Sequence, residues 1–187
     1  MLTDQDVHRL REETPGCGVT THFNHSGASL PPAAMTASVT EHLQREALCG
    51  PHEAAAKVQE RLARMRSDAA ALLGAASDEI AITSSGSAGW GMTFAALPPF
   101  QPGDRILVGR QEWGGNLATI EAACRRTGAR VEVIPSAEDG AVDPIALSAM
   151  LDKRVRLIAL TWFPANGGLI NDAAAVGRIA RAHRIPY

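Results

Sequence analysis

With 187 residues, 45% of them hydrophobic, the chain is long enough to bury one sizeable core and too apolar to be disordered. A net charge of −2, without a basic patch or a run of like charge, argues against a nucleic-acid or anionic-membrane partner. Cys17, Cys49 and Cys124 are an odd number with no C-x-x-C pair, so neither a disulfide framework nor a metal site is expected.

The first thirteen residues are charged throughout and no apolar run nears membrane-spanning length, so a soluble cytoplasmic protein is expected. Residues 4–13 are predicted to form a short polar helix. Pro15, Gly16 and Gly18 break it, and Thr21, His22 and Phe23 read as a small strand. The polar loop Asn24-His25-Ser26-Gly27-Ala28 is closed by Pro31 and Pro32, where a helix starts that runs to about Leu48. After Gly50 and Pro51 one long helix is predicted to about Gly74, because Val58, Leu62, Met65, Ala69 and Leu72 recur at helical spacing.

From Glu79 onward the pattern changes. Ile80, Ala81 and Ile82 read as a buried strand, and a helix is predicted over 90–97. Strands over 105–108, 130–134 and 155–161 then alternate with helices over 116–127, 144–151 and about 173–183. Apolar strands separated by single helices make parallel βαβ units, so the fold class is α/β, with ligands at the carboxyl ends of the strands.

Three loops would share that edge. The first, Ser84-Ser85-Gly86-Ser87-Ala88-Gly89, joins strand to helix through small residues. It leaves backbone N–H groups free beside the positive end of the helix dipole, as an anion or phosphate site requires. A nucleophile elbow centred on Ser87 and a plain capping turn remain open; the glycine order is the reverse of the dinucleotide fingerprint. The second loop carries Gln111-Glu112-Trp113-Gly114-Gly115-Asn116, in which Trp113 either stacks on a ligand ring or packs on a neighbouring helix. The third spans residues 162–168. Asp143 and Asp172 read as helix N-caps. His183 reads as a packed or capping imidazole.

The loop TSSGSAG, the downstream QEWGGN and the strand exit TWFPANGG, followed by a helix and IPY, together resemble the first half of class V aminotransferases. That family is the cysteine desulfurase-like branch of the fold-type I pyridoxal phosphate (PLP) enzymes. The sulfoxide C–S lyase of ergothioneine biosynthesis and the isopenicillin N epimerase-like proteins are the members it resembles. The resemblance implies an incomplete fold-type I large domain, a mostly parallel sheet with flanking helices, preceded by N-terminal helices. Residues 1–50 would be the helical segment with a substrate-side loop, and residues 51–187 the N-terminal portion of the PLP-binding domain.

It further implies that Gly86, Ser87 and Ala88 hold the cofactor phosphate, mainly through backbone N–H groups, and that Trp113 stacks on the pyridine ring. Asn24 and His25 fall in a loop that in relatives reaches toward an amino-acid substrate. Ala165 stands where many relatives carry a polar group near the ring hydroxyl, with Asn166 as its substitute. Relatives supply an Asp for the ring nitrogen and then a Schiff-base Lys beyond the position matching Tyr187; neither Lys57 nor Lys153 takes that place, so no catalytic residue is assigned.

The implied activity is C–S lyase, β-elimination or transaminase-type chemistry, by a homodimer or with a complementing C-terminal chain. Two other readings stand beside it: an α/β-hydrolase-like enzyme with nucleophile Ser87, and an inactive truncated or split subunit. The family arrangement also predicts that the segment 79–82 makes no ladder to the three later strands, leaving Ile80 and Ile82 uncovered.

Overall fold

Among the described residues every strand lies beyond residue 100. The structure is a computed structural model that describes residues 2–25, 28–165 and 168–187. By its internal contacts the chain divides into two units, Met1–Ile82 and Thr83–Tyr187.

The first unit is helical. Thr3 opens α1 (Asp4–Glu12) with a capping box: its hydroxyl accepts from the Asp6 N–H, and the Asp6 carboxylate accepts from the Thr3 N–H. Those bonds from Thr3, backbone first, hold the Asp6 carboxyl below the usual carboxylate range. A 3-10 turn at Pro15–Gly18 and the loop after it lead to α2 (Ala33–Cys49).

The long helix expected next is two helices, α3 (Pro51–Ala56) and α4 (Gln59–Leu73). No Gly or Pro marks the break. Val58 leaves the helical region at φ −114° and ψ 9°, and the Gln59 side chain adds a bond to the Ala55 carbonyl, which also accepts from the Val58 N–H. Gly74, in the left-handed conformation at φ 66°, ends α4 as a C-cap.

Only Ala54 and Ala70 are buried among the described residues of this unit, and Leu72 of the predicted apolar stripe is 86% exposed. The stripe is real as a pattern but lacks a cover. Neither predicted early strand forms. Residues 21–23 carry no ladder and Phe23 is 92% exposed. Ile80 has extended φ and ψ, but residues 80–82 pair with no strand, and Ile82 is 53% exposed while Ile80 is half-buried. An extended segment becomes a strand only when its N–H and C=O groups find a ladder, and none is offered here. Among the described residues the sheet is made of three later strands, without residues 79–82.

The second unit starts with α5 (Gly86–Ala95) and continues β1 (Arg105–Val108), α6 (Gly114–Thr127), β2 (Arg130–Val133), α7 (Pro144–Met150), β3 (Val155–Ala159) and α8 (Ala173–His183). The strands form one parallel sheet in the order β2-β1-β3. Alternation sorts its side chains into two layers. Ile106, Val108, Leu157 and Ala159 face a cluster with Ile120 of α6, against which Trp90 and Phe94 of α5 pack. Leu107 and Ile158 face the other side, with Leu147 of α7 and Val176 and Ala180 of α8. Burial on both faces explains the apolar runs Ile106–Val108 in β1 and Leu157–Ala159 in β3.

Caps fall where the sequence places them. Asp143 accepts from the Ile145 N–H and Asp172 from the Ala175 N–H, both at 2.8 Å. Beyond β3 the chain returns to the same sheet, since the Ile158 N–H donates to the Pro186 carbonyl at 3.0 Å.

At the amino edge Arg105 donates to both oxygens of Glu132, at 2.9 and 2.6 Å, and to the Met150 carbonyl, with Asp152 at 3.2 Å. Arg105 pulls the Glu132 carboxyl below its ordinary range. The Arg154 N–H, and then Arg105, do the same for Asp152. Both carboxyls are depressed in the folded state, so the stability they contribute is present above the ordinary carboxylate range and lost as pH falls through their folded values. Glu132→Gln is therefore expected to melt below the parent at pH 7. The gap should narrow as pH drops below about 4.3 in thermal melts across pH; a gap of constant size would show that the Arg105 pairing is not its source.

Candidate functional site

Because the three strands are parallel, their carboxyl ends open onto one edge, and each exit loop belongs to that edge. α5 packs Trp90 and Phe94 on the cluster that Ile106 and Val108 share with α6. Leu97 and Pro98, just past its last turn, line a cavity of about 600 Å³ with Asp152, Lys153 and Val155 at the amino end of β3. Ten helical residues span about 15 Å, which sets the first turn of α5 about that far from its last.

That turn is capped by Ser85, whose hydroxyl accepts from the Ala88 N–H at 3.1 Å, while the Thr83 hydroxyl donates to the Ser85 carbonyl at 2.9 Å. The Gly86 and Ser87 N–H groups have no acceptor among the described residues, and both residues are exposed. Two adjacent free donors at a helix N-terminus suit an anionic oxygen group. Gly86 has neither a positive φ nor any atom within 4 Å of a Cβ placed on it, so folding does not require glycine there.

Trp113 stands one strand exit away, as the N-cap of α6 and 56% exposed. Its N–H donates to the Thr161 hydroxyl at 3.3 Å. That hydroxyl donates to Glu112 Oε1 at 2.9 Å, and Asn116 Nδ2 donates to the same oxygen at 2.9 Å. Glu112 Oε2 is buried and without a partner among the described residues. Asn171, the buried polar side chain of the core, donates to the Thr161 carbonyl at 2.7 Å and accepts from the Val142 N–H at 2.8 Å. The exits of β1 and β3 and the hairpin after β2 are thus joined by side chains.

Glu112, Thr161 and Asn171 are the polar residues of this edge that the sequence does not single out. A Thr at a strand exit and an Asn before a helix carry no signal of burial. Exposed Trp162 and Phe163, their rings 4.6 Å apart, continue the aromatic surface begun by Trp113.

Of the residues the resemblance implies, Gly86, Ser87, Ala88 and Trp113 lie in the second unit. Asn24 and His25 lie in the first, where the Ala28 N–H donates to the Asn24 carbonyl and the His25 ring meets His22 edge-on at 4.6 Å. Asn166 is outside the described residues. Lys153 sits at the amino end of β3, one strand length of about 16 Å from the carboxyl edge, and Lys57 is exposed at the C-cap of α3.

The hydrolase reading finds no triad. Asp172 caps the start of α8 and His183 ends it, eleven residues or about 16 Å away, and Ser87 lies in a different helix. Among the described residues no group of three or more His, Cys, Asp or Glu is placed to hold a metal ion, and no helix is long and apolar enough to cross a membrane.

A small parallel sheet clad on both faces, with helix N-termini and an aromatic at its carboxyl edge, is the layout of a PLP enzyme of fold type I. Residues 21–186 match the family Aminotransferase class-V, and the chain belongs to it. It is 30% identical over 98% of its length to a probable cysteine desulfurase of Xylella fastidiosa (strain 9a5c), covering 47% of that protein. In structure it is similar to C-DES, solved as a mutant with glycine covalently linked to its PLP cofactor, at TM-score 0.82 and 24% identity, over 95% of this chain and 47% of that one. The apo cysteine desulfurase from Thermococcus onnurineus NA1 follows at TM-score 0.80 and 21% identity, over 99% and 46%. The chain spans about half the length of these relatives.

Proposed function

We propose that these residues form the cofactor-phosphate and ring-stacking half of a PLP-dependent enzyme that acts on an amino acid by C–S lyase chemistry of the cysteine desulfurase type. The observation that carries it is the pair of unpartnered N–H groups, Gly86 and Ser87, at the start of α5, together with exposed Trp113 at the start of α6, in a chain of the class V family.

Gly86 and Ser87 would hold the phosphate, with the Ser87 hydroxyl and the Ala88 N–H, shared with Ser85, as further donors. Trp113 would lie on the ring and exclude water from one of its faces. Asn166 would reach the ring hydroxyl, and Asn24 and His25 the substrate. When bound, the cofactor draws electrons from the substrate's Cα and weakens the bonds around it. A homodimer or a complementing chain would complete the site, with residues 51–187 as the N-terminal portion of the PLP-binding domain, in a cytoplasmic enzyme.

Binding of PLP followed by absorbance, with pyridoxal as the control that lacks phosphate, tests this reading. Pyridoxal is expected to bind at least about 100-fold more weakly, the worth of two hydrogen bonds to a charged group. Ser87→Ala should cost about 1 kcal/mol. Gly86→Ala should leave the melt unchanged and weaken binding more than Ser87→Ala, because open space at Gly86 leaves only the close approach of the ligand to be obstructed. Equal affinity for PLP and pyridoxal, or labelling of Ser87 by an active-site serine probe, would overturn it.

A further inference from the structure

We propose that Thr161 and Glu112 are positioning residues that, with Gly115, form a seat fixing the indole plane of Trp113; the use of that seat to hold a cofactor ring rests on the function proposed above. The Thr161 hydroxyl has one proton to give and gives it to Glu112 Oε1 at 2.9 Å, so its lone pairs are left to accept the Trp113 N–H at 3.3 Å. One hydroxyl therefore ties the adjacent residues Glu112 and Trp113 to the exit of β3, 49 and 48 residues further along the chain. Asn116, one helical turn beyond Glu112, closes on the same carboxylate oxygen and ties it to the first turn of α6. A carboxylate is favoured beside that N-terminus by the helix dipole.

The far side of the seat is a missing atom. A Cβ on Gly115 would stand 3.1 Å from Trp113 Nε1 and 3.4 Å from Cδ1, so the edge of the indole rests against the bare Cα of Gly115. Gly115 has no left-handed backbone that would otherwise call for glycine. Held at its backbone by Thr161 and at its ring by Gly115, an aromatic that is half in solvent keeps one orientation without losing rotamer freedom when a flat ligand arrives.

The chain labelled with 5-fluorotryptophan tests the seat by fluorine NMR without any ligand. Its three indole lines, from Trp90, Trp113 and Trp162, are assigned by single Phe replacements. Thr161→Val keeps the shape and removes the hydroxyl; it should shift and broaden the Trp113 line while the Trp90 line stays in place. Thr161→Ser restores the hydroxyl and should restore the line, which a purely space-filling role for Thr161 would not do. Gly115→Ala should move the same line from the other side with the tie intact. In a PLP titration Thr161→Val should lower affinity about tenfold, the loss of one hydrogen bond's worth of orientation.

A Trp113 line unchanged in Thr161→Val overturns the seat. If Thr161→Val unfolds, so that the Trp90 line moves to its denatured position, Gly115→Ala decides, and an unmoved Trp113 line there overturns it equally. Failure of the unmodified chain to bind PLP would reject the proposed function, and the ligand-free spectra would still decide the seat.

Discussion

Treating the 187-residue chain with PLP and borohydride is expected to fix no stoichiometric cofactor to any one residue. On the proposed function, Gly86 and Ser87 would hold the phosphate and Trp113 the ring, but the second unit offers no lysine at the carboxyl edge of its sheet. Its lysine, Lys153, is at the amino end of β3, and the first unit's lysine, Lys57, is an exposed helix-end residue. Covalent capture needs a neutral amine held against the cofactor's aldehyde for as long as the reductant takes to act. Without that positioning the cofactor exchanges freely, and reduction scatters over surface amines in proportion to their exposure. Mass spectrometry of the reduced protein should show a low, distributed label and no loss of either lysine-containing peptide. One equivalent on Lys57 or Lys153 would sink this account and make that lysine the functional one.

Replacing Asn171 by Ala should lower unfolding free energy by about 2–4 kcal/mol, since a buried N–H and a part-buried carbonyl lose their partner at once. The Val142 N–H and the Thr161 carbonyl both depend on its amide, and neither faces a second donor or acceptor among the described residues. In urea titrations the midpoint should fall by at least about 1 M for an ordinary slope. A shift under about 0.3 M would mean that water reaches both groups and that Asn171 is not what joins the hairpin after β2 to the exit of β3.

Much of the second unit could be read from its residues. β1, β3, α6, α7 and α8 follow apolar runs and helical periods, bounded by Asp143, Asp172 and Gly128, and the structure places them within a residue or two of expectation. β3 is shorter than its apolar run because Leu160 and Thr161 already belong to the exit loop. The first unit was less legible. Periodicity announces an apolar face but neither its cover nor a break, so one long helix was expected after Pro51 where two largely exposed ones form, with the stripe from Val58 to Leu72 on α4 and its N-cap alone. Ile80–Ile82 failed for a related reason: strand character is local, and strand existence depends on a neighbour.

At the site, the turn that caps α5 was legible because small residues before a helix have a mechanism of their own. The tie of Glu112, Thr161 and Asn171 was not, because it pairs residues 49 and 29 positions apart that nothing local brings together.

The order β2-β1-β3, in which the first strand ends up in the middle, also sets a sequence of events in time. β1 meets β2 through a short crossover, with Arg105 and Glu132 only 27 residues apart, whereas its contact with β3 must close a longer loop. A nucleus of β1, α6 and β2 is therefore expected to form before β3 docks on the remaining side. Substitutions at Ile106 or Ile120 should then slow folding, while those at Thr161 or Asn171 should mainly speed unfolding, as stopped-flow folding and unfolding rates would show.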